Sequence, residues 1–200
     1  MKLINKIKKG AISVVLIVLI AIVAIVGLIA MSAIGSYNGL VGKREVVATR
    51  RADIDTALQS RADLIPNLVS TVKGYMNHED AIIDKITNAR QNLLNANSLE
   101  EKSAANNELT SGINALMVIV ENYPDLKSSQ NFINLQDELA ASETKIANAR
   151  REYNEAVSGY NTSIQTFPNN VLAGMFNFEK AEYFEADESA QTVPVVDFSE

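Results

Sequence analysis

Residues Ala11–Gly35 are 25 consecutive positions without a charge, drawn almost wholly from Ile, Val, Leu and Ala. At about 1.5 Å of rise per residue, a helix of this length crosses the ~30 Å hydrocarbon core of a bilayer with some length left for tilt. A cleavable signal peptide carries an apolar region of only about 7–15 residues. Ala30-Met31-Ser32 offers a small-x-small site, yet the length of the run makes an uncleaved anchor the expectation. Lys2, Lys6, Lys8 and Lys9 precede the run, and Lys43, Arg44, Arg50 and Arg51 follow it. The N-terminal four are denser and lie against the bilayer, so the positive-inside rule favours the tail inside and the body outside.

Four of the 18 basic residues and none of the 24 acids lie in the first 35 positions, which leaves a strongly acidic body. Nucleic acid is a poor partner for it, because phosphate binding needs concentrated positive charge. With no cysteine in the chain, disulfides, thiolate catalysis and cysteine-ligated zinc are excluded. Tryptophan is absent and glycine and proline are scarce, which suits long helices.

The body keeps a helical period. Val47, Arg51, Ile54, Leu58, Arg61, Ile65, Leu68, Val72, Tyr75, Glu79, Ile82, Ile86, Ala89 and Leu93 alternate spacings of four and three, the repeat of packed helices. Pro66 lacks a backbone donor and predicts a kink near Ala62–Ile65, while Gly74 and the run from Asn77 to Asp80 offer a better break. Ser98-Leu99-Glu100-Glu101 fits a capping box. A third helix then runs to about Glu121, where Tyr123-Pro124 stops it. A fourth carries the seam Phe132, Leu135, Leu139, Ser142, Ile146, Ala149, Tyr153, Ala156, Tyr160 and Ile164, and ends at Pro168.

These readings predict an all-α chain, an N-terminal transmembrane helix followed by an up-down antiparallel four-helix bundle with long first and fourth helices. The expected divisions are a basic tail at 1–10, the membrane helix at 11–35, the bundle at 36–170 (helices at about 38–74, 78–95, 99–121 and 129–167) and an aromatic then acidic tail at 171–200. Phe167, Phe176, Phe178 and Phe184 are four of the six phenylalanines. An interfacial foot on the bilayer is one reading of them; packing into grooves of the bundle is favoured, because Glu179, Glu182 and Glu185 would be repelled by anionic lipid.

No catalytic set assembles on paper. His78 is the only histidine, with no second ligand four residues on, so neither zinc nor a di-iron site is supplied and a hydrolase built on His78 and Glu79 is a remote reading. Arg51, Arg61 and Glu79 fall on the apolar seam. They form a buried ionic layer, with Glu143 or Glu152 as partner, or they reach outward past a phase shift at Pro66. Tyr-Asn recurs at Tyr37-Asn38, Tyr153-Asn154 and Tyr160-Asn161, the last two stacked on one helix face. The plain reading is core phenols with partnered hydroxyls; the other is a binding stripe.

Several of these words occur together in order: Tyr37-Asn38-Gly39-Leu40-Val41, Arg61-Ala62-Asp63-Leu64-Ile65-Pro66-Asn67-Leu68-Val69, Val72-Lys73-Gly74-Tyr75 with His78-Glu79, Tyr123-Pro124-Asp125-Leu126-Lys127, Arg150-Arg151-Glu152-Tyr153-Asn154, Tyr160-Asn161 and Phe167-Pro168. In this the chain resembles the LemA family of bacterial membrane proteins over about Tyr37–Phe198. The resemblance implies a single-pass membrane protein with a helical-bundle body, and it supplies no activity. It also implies the opposite orientation to the charge argument, with the short tail outside.

The expected function is therefore a membrane-anchored, non-enzymatic bundle that scaffolds or regulates other membrane proteins, the alternative being a membrane-tethered sensor or ligand-binding module. No catalytic, cofactor or metal residues are expected. The structural or interaction candidates are Arg61, Pro66, Asn67, Tyr75, His78, Glu79, Tyr123, Pro124, Arg150, Tyr153, Asn154, Tyr160 and Asn161. Expected partners are membrane lipid through the N-terminal helix, other membrane proteins and further copies of the chain, with no nucleic acid. The expected place is the bacterial cell membrane, with the body extracytoplasmic.

Overall fold

The computed structural model describes residues 2–76 and 79–184, with side chains from Leu16 onward. It is all-helical: α1 (Lys2–Lys73), α2 (Asp80–Asn95), α3 (Leu99–Val120), α4 (Pro124–Lys127), α5 (Gln130–Gln165) and α6 (Asn169–Met175), with no strand among the described residues. The end of the expected acidic tail, from Glu185 onward, lies outside the described residues, as do Asn77 and His78.

The apolar run and the start of the polar body belong to one helix of 72 residues. The most apolar window of α1 has a mean hydropathy of 3.1, and none of it is buried. Pro66 does not interrupt α1. A proline withdraws the N–H that would bond the carbonyl four residues back, here Ala62. Arg90 of α2 replaces that donor, its Nε lying 2.8 Å from the Ala62 oxygen. The break falls after Lys73, where the Gly74, Tyr75 and Met76 amides bond back to Thr71 and Val72.

The chain divides into two compact units, Met1–Val46 with Gly159–Ala181, and Val47–Ser158 with Glu182–Glu200. In the second, the apolar seam is buried at Val47, Ile54, Leu58, Ile65, Leu68 and Val72 of α1. Past the break the phase resets. Met76 is 3% exposed where Tyr75, the seam residue by spacing, is 46% exposed, and Ile83 is buried in place of Ile82. In α5 Val157 likewise takes the buried position expected for Ala156.

Gly112 of α3 brings α3 onto α2, because a Cβ there would stand 3.0 Å from Cγ1 of Ile86, which is fully buried. Gly112→Val is expected to force the two helices apart and to cost roughly 1–3 kcal/mol as overpacking. Chemical denaturation of the full-length protein in micelles reads this as a lower midpoint at unchanged slope.

The capping box forms as its sequence predicts. Ser98 Oγ accepts from the Glu101 amide at 3.0 Å, and Glu101 Oε2 accepts from the Ser98 and Asn97 amides at 3.1 and 2.8 Å. Ser98→Ala should cost about 1 kcal/mol. The amides of Asn97 and Ser98 hold the Glu101 carboxyl below its ordinary pKa. Its contribution is therefore present above the ordinary carboxylate pKa and is lost as pH falls through the depressed one. A melting series from neutral to acid pH should show less acid sensitivity in Glu101→Gln than in the parent.

In the first unit, α6 follows a cis Phe167–Pro168 peptide and ends in a turn set by Asn177, the only non-glycine with positive φ (54°) among the described residues. Phe178 N–H bonds the Ala173 carbonyl at 3.0 Å, and both side chains are buried, the pattern of a Schellman C-terminus with asparagine in the left-handed position. Packing of the aromatic segment holds for Phe178 and Phe184, 8% and 7% exposed, and fails for Phe167 and Phe176, 78% and 53% exposed.

Candidate functional site

Arg61 is buried, 3% exposed, so the ionic layer and not the outward reach describes it. Its Nη1 lies 2.7 Å from Asn106 Oδ1, 3.0 Å from Thr110 Oγ1 and 2.6 Å from Glu143 Oε2. One nitrogen with two hydrogens thus faces three oxygens, and the Glu143 contact is an ion pair without hydrogen-bond alignment. Arg51 turns to the surface, and Glu79 accepts the Tyr123 hydroxyl at 3.2 Å. Arg150, from the next turns of α5, sets its guanidinium carbon 4.5 Å over the Phe184 ring.

Burial lowers the pKa of both arginines, and Glu143 opposes that shift; for Arg150 the neighbouring Arg61 lowers it further. Two guanidinium charges therefore share one carboxylate. Nε and Nη2 of Arg150 are shielded from solvent and meet no acceptor among the described residues. Those two nitrogens are one edge of the guanidinium, the edge that grips a carboxylate or phosphate with two parallel hydrogen bonds.

The Tyr-Asn pairs of α5 hold main chain. In the second unit Tyr153 OH donates to the Glu182 carbonyl at 2.8 Å. Asn154 Nδ2 donates to the Phe184 carbonyl at 2.9 Å, and its Oδ1 accepts the Phe184 amide at 2.8 Å. The same arrangement recurs in the first unit, where Tyr160 OH donates to the Glu179 carbonyl at 2.9 Å, and Asn161 exchanges two 2.9 Å bonds with the Ala181 amide and carbonyl. In each pair the hydroxyl takes one carbonyl and the carboxamide, which presents donor and acceptor side by side, takes both backbone groups two residues on. Burial raises the pKa of both phenols; Arg51 opposes this at Tyr153 and Arg44 at Tyr160, so each stays a donor at neutral pH. The third pair differs, since Tyr37 packs edge-on against Phe176 and Phe178.

Of the remaining candidates, Tyr123 and Glu79 meet each other and the other described ones stand apart. Pro66, Asn67 and Pro124 are exposed, Pro124 as the first residue of α4. Tyr123 has its pKa raised by desolvation and by the Glu79 carboxylate. His78 lies outside the described residues. Among the described residues no three metal-ligating side chains cluster.

A groove of about 130 Å³ in the second unit is lined by Asp55, Leu58, Leu93 and Lys102, away from both Pro66 and the Tyr-Asn pairs. That is small against the ~300–1,000 Å³ of ordinary ligand pockets. Nothing in the sequence marks Asn106, Thr110 or the main chain of residues 179–184 as binding partners; the seven-residue Tyr-Asn repeat signals a shared task but not its object.

The model of the LemA family matches residues 50–198. Protein LemA of Metamycoplasma hominis is 28% identical over 159 residues, spanning 78% of this chain and 71% of that protein. Magnetosome protein MamQ 2 of Paramagnetospirillum magneticum is 26% identical over 186 residues, spanning 80% of this chain and 68% of its own length. Magnetosome protein MamQ of Magnetospirillum gryphiswaldense is 24% identical with the same coverage.

Proposed function

The chain belongs to the LemA family, and we propose that it is a membrane-anchored, non-enzymatic four-helix-bundle protein that scaffolds or regulates other membrane proteins. The observation that carries this reading is the continuity of α1, in which one helix runs from the uncharged segment into the packed seam at Val47–Val72. A helix that runs on from the anchor without a flexible linker suits a scaffold and serves a freely diffusing catalytic domain poorly. The relatives named as LemA and as magnetosome proteins support a role at a cell structure and supply no reaction. The body faces the extracytoplasmic side on the density of the N-terminal lysines.

Crosslinking of tagged full-length protein in native membranes, followed by purification, tests the proposal. A stoichiometric foreign partner, or discrete multiples of the chain itself, is the expected result. Recovery as a lone monomer overturns it.

A second reading, a tethered ligand-binding module, is favoured by the unpartnered edge of Arg150. It expects inorganic phosphate or a small dicarboxylate to raise the melting temperature, and Arg150→Lys, which lacks the planar fork, to abolish the rise.

A further inference from the structure

The segment Gln165–Phe178 carries no charge, and four of its large apolar side chains stand in solvent. Phe167 is 78% exposed, Val171 54%, Met175 70% and Phe176 53%. Val171 and Met175 are four residues apart and so share one side of α6, and Phe167 stands just before that helix. Ala173 and Phe178, 5% and 8% exposed, hold the segment against its own unit. A cluster of this kind on one face marks a contact surface, since scattered single residues would need no explanation.

Its position names the occupant. Tyr37 lies two residues past the apolar run Ala11–Gly35, and its ring centroid is 4.8 Å from that of Phe176 and 5.7 Å from that of Phe178. The exposed cluster is therefore at the level where α1 leaves the hydrocarbon core. On the side further along α1 the contacts turn cationic. Arg44 lies 5.1 Å from the centroid of Phe178, and Lys43 donates to Gly159 and Ser163 of α5. Aromatic and apolar groups at the acyl boundary with basic groups just above them is the layering of a membrane interface.

We propose that Phe167–Phe176 is an interfacial foot, with α6 lying in the headgroup region and Phe167, Val171 and Met175 directed into the acyl chains. It is a second lipid contact beside the spanning helix, and it rests on the reading of residues 11–35 as a membrane span. The foot itself is uncharged, so it engages zwitterionic lipid, and Glu179 beyond it shares its unit with the basic Lys43, Arg44 and Lys180. Together the span and the foot fix the tilt of the unit that carries both, because two separated contacts define an orientation where one leaves rotation free.

The chain has no tryptophan, so single-tryptophan variants of the full-length protein report one site each. Val171→Trp and Phe167→Trp are compared in phosphatidylcholine nanodiscs with Ile25→Trp inside the span and Val118→Trp, an exposed position of α3 (73% exposed). Each is read with lipid brominated on its acyl chains and with aqueous iodide. The foot predicts blue-shifted emission at positions 171 and 167, most of it lost to brominated lipid as at position 25, with little iodide quenching. Iodide quenching at 171 and 167 like that at 118, with 25 still quenched by brominated lipid, overturns the foot and leaves the span standing. Loss of bromine quenching at 25 overturns the span and the foot with it. Blue-shifted emission at 171 insensitive to both quenchers overturns the foot in favour of a protein, such as a second copy, on this face. Because Phe167→Trp keeps an aromatic ring at a 78% exposed position, it retains a readout if Val171→Trp disturbs α6.

Discussion

Replacing Arg61 with alanine is expected to lower the stability of the full-length protein by roughly 3–5 kcal/mol, the cost of leaving its buried hydrogen-bond partners unpaired and its volume empty. The loss has three sources. Asn106 Oδ1, in a residue 1% exposed, loses a charge-assisted bond. Thr110 loses its donor while its hydroxyl remains committed to the Asn106 carbonyl. A long side chain's volume is left empty between α1, α3 and α5. Glu143 contributes less, because its side chain is 44% exposed and can turn to water.

The reverse deletion acts through charge. Glu143→Gln leaves Arg61 and Arg150 facing each other with their shared carboxylate gone, so its cost should shrink when Arg150→Met is added. A cycle of the single and double variants by thermal melting isolates that coupling. An Arg61→Ala melt unchanged from the parent would remove the ionic layer from the account.

The second large effect is expected at the backbone clamps. Asn154→Ala removes two hydrogen bonds to the Phe184 main chain, at about 1 kcal/mol net each. Amide exchange of Phe184 should accelerate by about 30-fold for that ~2 kcal/mol if it opens locally. Asn161→Ala should do the same at Ala181, through its own two bonds. Tyr153→Phe, which loses a single bond to the Glu182 carbonyl, should give a smaller acceleration.

Asn154→Asp provides the sharper test. An ionised aspartate still accepts the Phe184 amide but sets a carboxylate against the Phe184 carbonyl, whereas the protonated acid again offers donor and acceptor side by side. Exchange protection should therefore fall at neutral pH and recover as the medium is acidified through the carboxyl pKa. Protection equal to the parent at neutral pH would mean that these bonds do not hold the segment.

Much of this protein is legible in its sequence because the signals are local and periodic. The uncharged run reads as a helix long enough to span a bilayer, since length and polarity alone decide that. The seams at Ile54, Leu58, Ile65, Leu68 and Val72, and at Phe132, Leu139, Ile146 and Tyr153, are readable because burial follows the helical period while a helix lasts. The Ser98–Glu101 box is readable because its groups lie within one turn. Where a helix ends the phase is lost, so that Tyr75 and Ile82 yield their places to Met76 and Ile83, and along the 36 residues of α5 it drifts by one, from Ala156 to Val157.

What tertiary structure alone decides are the pairings between residues far apart in the chain. Pro66 leaves the Ala62 carbonyl without its helical donor, and only the fold brings Arg90, 28 residues from Ala62, to supply one. Arg61 on an apolar seam is ambiguous until Asn106 and Thr110 arrive from α3 to accept its hydrogens and Glu143 from α5 to pair its charge. The Tyr-Asn repeat announces a shared role, but its partners at 179–184 are main-chain atoms, which every residue carries and no side-chain pattern reveals. Local periodicity sets which face of a helix is buried. Which polar groups may be buried with it depends on acceptors and donors that only the folded chain brings within 3 Å, because an unpaired polar group costs more than the pair it could have formed.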